Sequence, residues 1–119
     1  MYLNNGTKER VMIKTLKRFK LGRIIPIGKV IEIIKENKDY QEWIEYCLSR
    51  YASRDWGSIG GWDKIRNEKA IKNKERVIAR YSNPAGNILI LTEGGATTVL
   101  LQEEYRLNLR KEYMTELMK

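Results

Sequence analysis

Between Arg76 and Tyr105 the chain reads RVIARYSNPAGNILILTEGGATTVLLQEEY. Three apolar runs are parted by two turn signals, Asn83-Pro84-Ala85-Gly86 and Gly94-Gly95. Glycine and proline interrupt regular structure, so the pattern predicts an antiparallel β-meander with strands at Arg76–Tyr81, Asn87–Leu91 and Thr97–Leu101. Ile88 to Leu91 is apolar without alternation, as expected of a central strand covered on both faces. The rest of the chain is expected to supply that cover.

Upstream, Thr7 is a candidate cap for a helix whose face carries Val11, Met12, Thr15, Leu16 and Phe19. Lys8, Arg10, Lys14, Lys17 and Arg18 lie on the other side. Val11, Ile13 and Thr15 also alternate, so the stretch 1–18 is read as a basic arm or helix. Leu21 to Ile27 predicts a short strand. Pro26 has no N–H for a ladder and belongs at that strand's end or on an edge. Gly28 turns into a helix with apolar Val30, Ile31, Ile33 and Ile34, broken at Asn37-Lys38-Asp39. Asp39 is the expected cap of the next helix, Tyr40–Tyr51, whose buried stripe is Trp43, Ile44, Cys47, Leu48 and Tyr51. A glycine-rich loop, Ser58–Gly61, leads to a charged helix, Lys64–Lys74, with Ile65 and Ile71 as its main apolar contacts. Gln102 to Lys119 predicts a final helix with Tyr105, Leu109 and Tyr113 repeating at four. The fold class is α+β: one domain, 1–119, with a three- to four-stranded, mainly antiparallel sheet covered by helices.

Composition narrows the chemistry. There is no histidine, which removes Ser-His-Asp and Cys-His catalysis and the commonest transition-metal ligand. With Cys47 the single cysteine, no intrachain disulfide forms and a structural zinc site is ruled out. That usage fits a reducing, cytoplasmic setting. No apolar run approaches the roughly 18 residues of a membrane span. The basic N-terminus lacks the apolar core of a secretory signal. No cofactor is implied.

The net charge of +8 is unevenly distributed. Residues 1–30 hold eight basic side chains against one acidic, and residues 64–80 hold seven against two. Lys14, Lys17, Arg18, Lys20 and Arg23 form one block. Lys64, Arg66, Lys69, Lys72, Lys74 and Arg76 form the other. Clustering of this kind points to an anionic partner, although two solvated faces would read the same way. With Phe19, Trp62 and Tyr81 the few aromatics nearby, and no helix-turn-helix, RNP or zinc-finger signature, nucleic-acid binding would be of backbone type.

Across residues 19–105 an ordered set of short motifs resembles a family of small, uncharacterised bacterial proteins from plasmids and phages. The family is often mislabelled as a type I restriction subunit. Leu21-Gly22-Arg23-Ile24-Ile25 is similar to its opening strand. Asp55-Trp56-Gly57 matches its most distinctive motif, followed by Asp63, Asn67 and Ala70. Arg76 and Tyr81 match the next strand. Thr92-Glu93, Thr97-Thr98-Val99-Leu100-Leu101 and Glu103-Glu104-Tyr105 match its close. The chain departs from the pattern at Gly94-Gly95-Ala96, two residues shorter and without an acidic-basic pair, and at Gln102, where the family carries proline. The arm before Phe19 and the 106–119 helix lie outside the family core. The resemblance implies a mobile-element origin and a compact cytosolic domain, with no established enzyme activity. It supplies no catalytic residue.

Two readings attach to each motif. Trp56 either faces a partner or anchors its loop against the sheet. Asp55 then bonds local amides, and Gly57 takes a positive φ at a helix C-terminus. Asp63 and Asn67, four apart, either hold a cation or brace the helix, and two ligands are too few for calcium. Glu93 ends its strand, while Glu103 and Glu104 favour a helix N-terminus. The structural reading is preferred for each. The expected function is therefore non-enzymatic binding, as a counter-defence inhibitor of a CRISPR nuclease, restriction complex or related nucleoprotein. The alternative is a basic accessory protein that binds DNA or RNA in a salt-dependent way. A homodimer through the C-terminal helix is a further expectation, and no membrane partner is implied.

Overall fold

The computed structural model describes residues 18–107. The proposed N-terminal helix up to Lys17, with Lys14 and Lys17, and the part of the final helix beyond residue 107 lie outside the described residues. The chain runs β1 (Arg23–Pro26), α1 (Lys29–Glu36), α2 (Lys38–Ala52), α3 (Gly61–Asn73), β2 (Val77–Tyr81), β3 (Ile88–Glu93) and β4 (Ala96–Leu101). Residues 102–107 begin the C-terminal helix.

The four strands form one sheet in the order β1-β4-β3-β2. The meander β2-β3-β4 is antiparallel throughout, with Ala79 opposite Ile90 and Ile90 opposite Val99. The sheet as a whole is mixed, because β1 lies parallel to β4. A parallel pair needs a long crossover. The helices α1 to α3 fill the connection that carries the chain from β1, at one edge, to β2, at the other.

Register decides which side chains share a face. Val77, Ala79 and Tyr81 of β2 stand beside Ile88 and Ile90 of β3, then Val99 and Leu101 of β4. All are buried and pack with Val30 of α1, with Tyr40, Ile44, Cys47 and Tyr51 of α2, and with Ala70 of α3. Alternation puts Leu89 and Leu100 on the opposite face, where both are also buried. Phe19, in no helix, packs its ring 5.2 Å from Tyr51 and 5.6 Å from Trp56. The single Tyr51 hydroxyl proton is shared between the Val77 carbonyl and Thr92 Oγ1, and Thr97 Oγ1 donates to the Leu21 carbonyl. A short polar chain thereby ties α2 to the sheet and to the residues before β1.

Several local expectations need correction. α2 is capped by Asn37, whose Oδ1 accepts from Tyr40 N, and Asp39 sits inside its first turn. Asparagine competes equally well for a cap, and it stands where the chain is still extended. α3 starts at Gly61, inside the stretch read as a loop. Ile65 is 54 % exposed. The contacts that α3 buries are Asn67 and Ala70, with Ile71 half-buried beside them. α2 and α3 each end with a non-glycine residue in the left-handed region, Arg54 and Lys74. The residue after each bonds back five positions, Asp55 N to Arg50 O and Glu75 N to Ala70 O, as in a Schellman close. Gly57 is not part of that ending.

The C-terminal helix is pinned at its first turn. Glu104 accepts from Lys29 N through both carboxylate oxygens, so it caps α1 from 75 residues away. Arg76 donates to Tyr105 Oη at 3.2 Å, which ties the residues after β4 to the start of β2.

Candidate interaction surface

An open sheet has two edges, and each is a liability unless closed. β1 has Arg23 N and Ile27 N bonded to Gly95 O and Val99 O. Alternation then turns Ile24 and Pro26 outward, and Pro26 has no N–H to offer a further strand.

The β2 edge is closed by the Asp55-Trp56-Gly57 loop and by α3. Arg80 N donates to Trp56 O, and Ser58 N donates to Arg80 O at 2.8 Å, so the loop forms a one-residue parallel bridge at Gly57. Two residues earlier on β2, the Asn67 carboxamide imitates a backbone. Its Nδ2 donates to Ile78 O at 2.7 Å, and its Oδ1 accepts from Ile78 N at 3.2 Å. Gly57 has φ 71, and a Cβ there would overlap the Arg80 carbonyl, so only glycine lets the loop approach so closely. Trp56 is 4 % exposed, with its Nε1 donating to Glu68. Glu68 also accepts from Arg54. Asp55 accepts from Arg50 and from Gly57 N. Those bonds hold its carboxyl below the usual aspartate range, the Arg50 hydrogen bond contributing most. Arg50 also lies 5.0 Å over the Tyr81 ring, and Tyr81 donates to Asp55 O. Glu68, Arg50 and Ser58 are residues that sequence reasoning missed. Their signal was positional only, since α3 brings Glu68 to Trp56 across 12 residues.

Thus Asp55, Trp56, Gly57, Asn67 and Tyr81 come together, and what they build is an edge closure. The partner-facing reading of Trp56 is excluded by its burial. Asp63 is not joined to Asn67; it pairs with Arg66 at 3.4 Å. Glu93 ends β3 and pairs with Arg76 at 3.6 Å. The Cys47 thiol is buried, and burial pushes its pKa up to about 11, so it stays protonated at neutral pH.

The basic residues divide. Arg18 is turned back on α2, donating to Ser49 and Ser53. Arg23 is exposed on the edge strand. Lys20 and Lys74, from different blocks, meet at the rim of a 280 Å³ cavity floored by Phe19, Ala70, Ile71 and Val77. Glu75 and Glu93 share that rim, so its charge is balanced. Lys64, Arg66, Lys69 and Lys72 are exposed along α3. Of these only Arg66 has an ion-pair partner among the described residues.

The outer side of α3 carries the most exposed large apolar side chain among the described residues. Trp62 is 83 % exposed, and Ile65 follows one turn later. At 3.6 residues per turn, Trp62, Ile65, Lys69 and Lys72 fall within an arc of about 80° along roughly 15 Å of helix. Asn67 and Ala70 face the opposite way, into β2. No family model, curated protein or solved structure matches this chain. Among the described residues no helix is long and apolar enough to cross a membrane.

Proposed function

We propose that this chain is a non-enzymatic binding protein of a mobile element, whose contact surface is the outer face of α3. On this reading it is a counter-defence inhibitor that occupies a nuclease or nucleoprotein of a host barrier. The observation that carries the contact surface is Trp62, an indole left in water at one end of a basic stripe. Aromatic and arginine side chains dominate binding hot spots, and a solvated indole costs free energy that burial in a partner would recover. The closed β2 edge supports the helix as the contact on that side of the sheet, because strand addition there has no free ladder to join. The carboxylates support binding over catalysis: Asp55 and Glu68 at the loop, and Glu93 beside the start of β2, are each engaged by an arginine. The partner class rests on the resemblance to plasmid and phage proteins and on the charge of the stripe, since defence machines that hold nucleic acid present polyanions.

The test is infection. The chain is expressed in hosts with active CRISPR or restriction barriers, and plaque counts are compared with an empty control. Plating should rise with the native chain and return to baseline with Trp62→Ala combined with Lys69→Glu and Lys72→Glu. No rise across a panel of barriers overturns the inhibitor reading.

A further inference from the structure

The α3 stripe has two unlike ends, and their chemistry specifies a ligand more narrowly than charge alone. Its first turn offers Trp62, exposed on a helix rather than in a loop, so the indole is presented from a fixed backbone. Its later turns offer Lys69 and Lys72, with Arg66 alongside. The Arg66–Asp63 pair is long, at 3.4 Å, and solvated, so a phosphate could displace the carboxylate at little cost. A polyanion without accessible ring faces would satisfy the cations and leave Trp62 in water. A duplex is such a polyanion, because its bases are stacked and paired. An unpaired strand offers both groups at once: phosphates for the cations and a base face for the indole.

We infer that the outer face of α3 binds single-stranded nucleic acid, with one base stacked on Trp62 and the following phosphates on Arg66, Lys69 and Lys72. This rests on the proposed contact surface and names its ligand. Stacking tolerates any base, so the site selects for strand state and not for sequence. Neutralising three phosphates on a single strand gives a salt slope of about −2, or roughly 20-fold weaker binding between 50 and 200 mM salt.

The experiment uses the full chain and fluorescein-labelled 20-nucleotide single-stranded DNA, single-stranded RNA and duplex DNA, read by anisotropy at 50 mM salt. The single strands should bind roughly tenfold more tightly than the duplex and should quench tryptophan fluorescence, since Trp43 is only part-exposed and Trp56 buried. Trp62→Ala should weaken single-strand binding roughly tenfold and leave duplex binding unchanged. Lys69→Glu with Lys72→Glu should weaken both and flatten the salt slope. Thermal melts of each variant check that the fold is intact. Equal binding of duplex and single strand, with Trp62→Ala silent, overturns the inference, as does no binding at 50 mM salt. If binding is absent while the same α3 variants abolish protection in the plaque assay, the surface stands and its ligand is a protein.

Discussion

The two long faces of α3 are made from one 13-residue helix and behave in opposite ways. The inner face carries Asn67 and Ala70, both about 1 % exposed, and meets β2. Ala70 and Ala79 are small enough to bring helix and strand close, and the Asn67 amide then completes the ladder at Ile78. The outer face carries Trp62 and Ile65, both exposed. The two tryptophans flanking the helix start mark the same divide: Trp56 is closed over by Glu68, Phe19 and Tyr51, and Trp62 is open. The lesson is that the most motif-like run in the chain builds structure. Asp55-Trp56-Gly57 closes a sheet edge, while the exposed indole and cations lie on an ordinary charged helix.

The contrast can be broken most severely at Gly57. Gly57→Ala forces a Cβ into the Arg80 carbonyl at a positive φ and should cost about 3 kcal/mol or more, read by urea denaturation. Asn67→Ala leaves the Ile78 N–H and C=O without their partner. It should cost about 2–3 kcal/mol, with faster amide exchange at Ile78.

A smaller effect is expected from acid. Because Asp55 has a depressed pKa in the folded chain, its stabilisation is present in full above the ordinary value of about 3.9 and is lost as pH falls through the lower folded value. The carboxylate is half-exposed, so the loss is modest. Asp55→Asn should flatten stability against pH below about 4, and an unchanged profile would show that the Arg50 pair contributes nothing to folding. The smallest change belongs to the outer face. Trp62→Ala should alter stability by no more than about 0.5 kcal/mol while changing binding, a separation that urea midpoints and anisotropy measure side by side.

Much of the fold was legible. The meander is found between its two turn signals, because glycine pairs and Asn-Pro leave few alternatives. Of the expected stripe, Ile44, Cys47 and Tyr51 are buried as their spacing requires, while Trp43 and Leu48 are only half-buried beside them. The limits of legibility are local. Asn37 displaced Asp39 as a cap, since neighbouring side chains of similar capping strength cannot be ranked from order alone. Ile65 is outward because the sheet accepts α3 at its edge, through Asn67 and Ala70, and not by a broad apolar stripe. Among the candidate residues, the exposure of the α3 lysines was readable from a thin apolar face. The opposite fates of Trp56 and Trp62 were not, because both are tryptophans beside glycine and an acid.

By itself the chain's order of residues determined the α+β class, the three meander strands, the absence of histidine chemistry and the two basic blocks. All follow from short-range periodicity, turn preference or composition. The tertiary structure alone decided that β1 lies parallel to β4, that Asn67 and Gly57 close the β2 edge, that Lys20 and Lys74 meet at one rim, and that Trp62 is left in water. Each of these joins segments whose distance along the chain carries no information about their distance in space, so only the packed sheet and helices could bring them together or hold them apart.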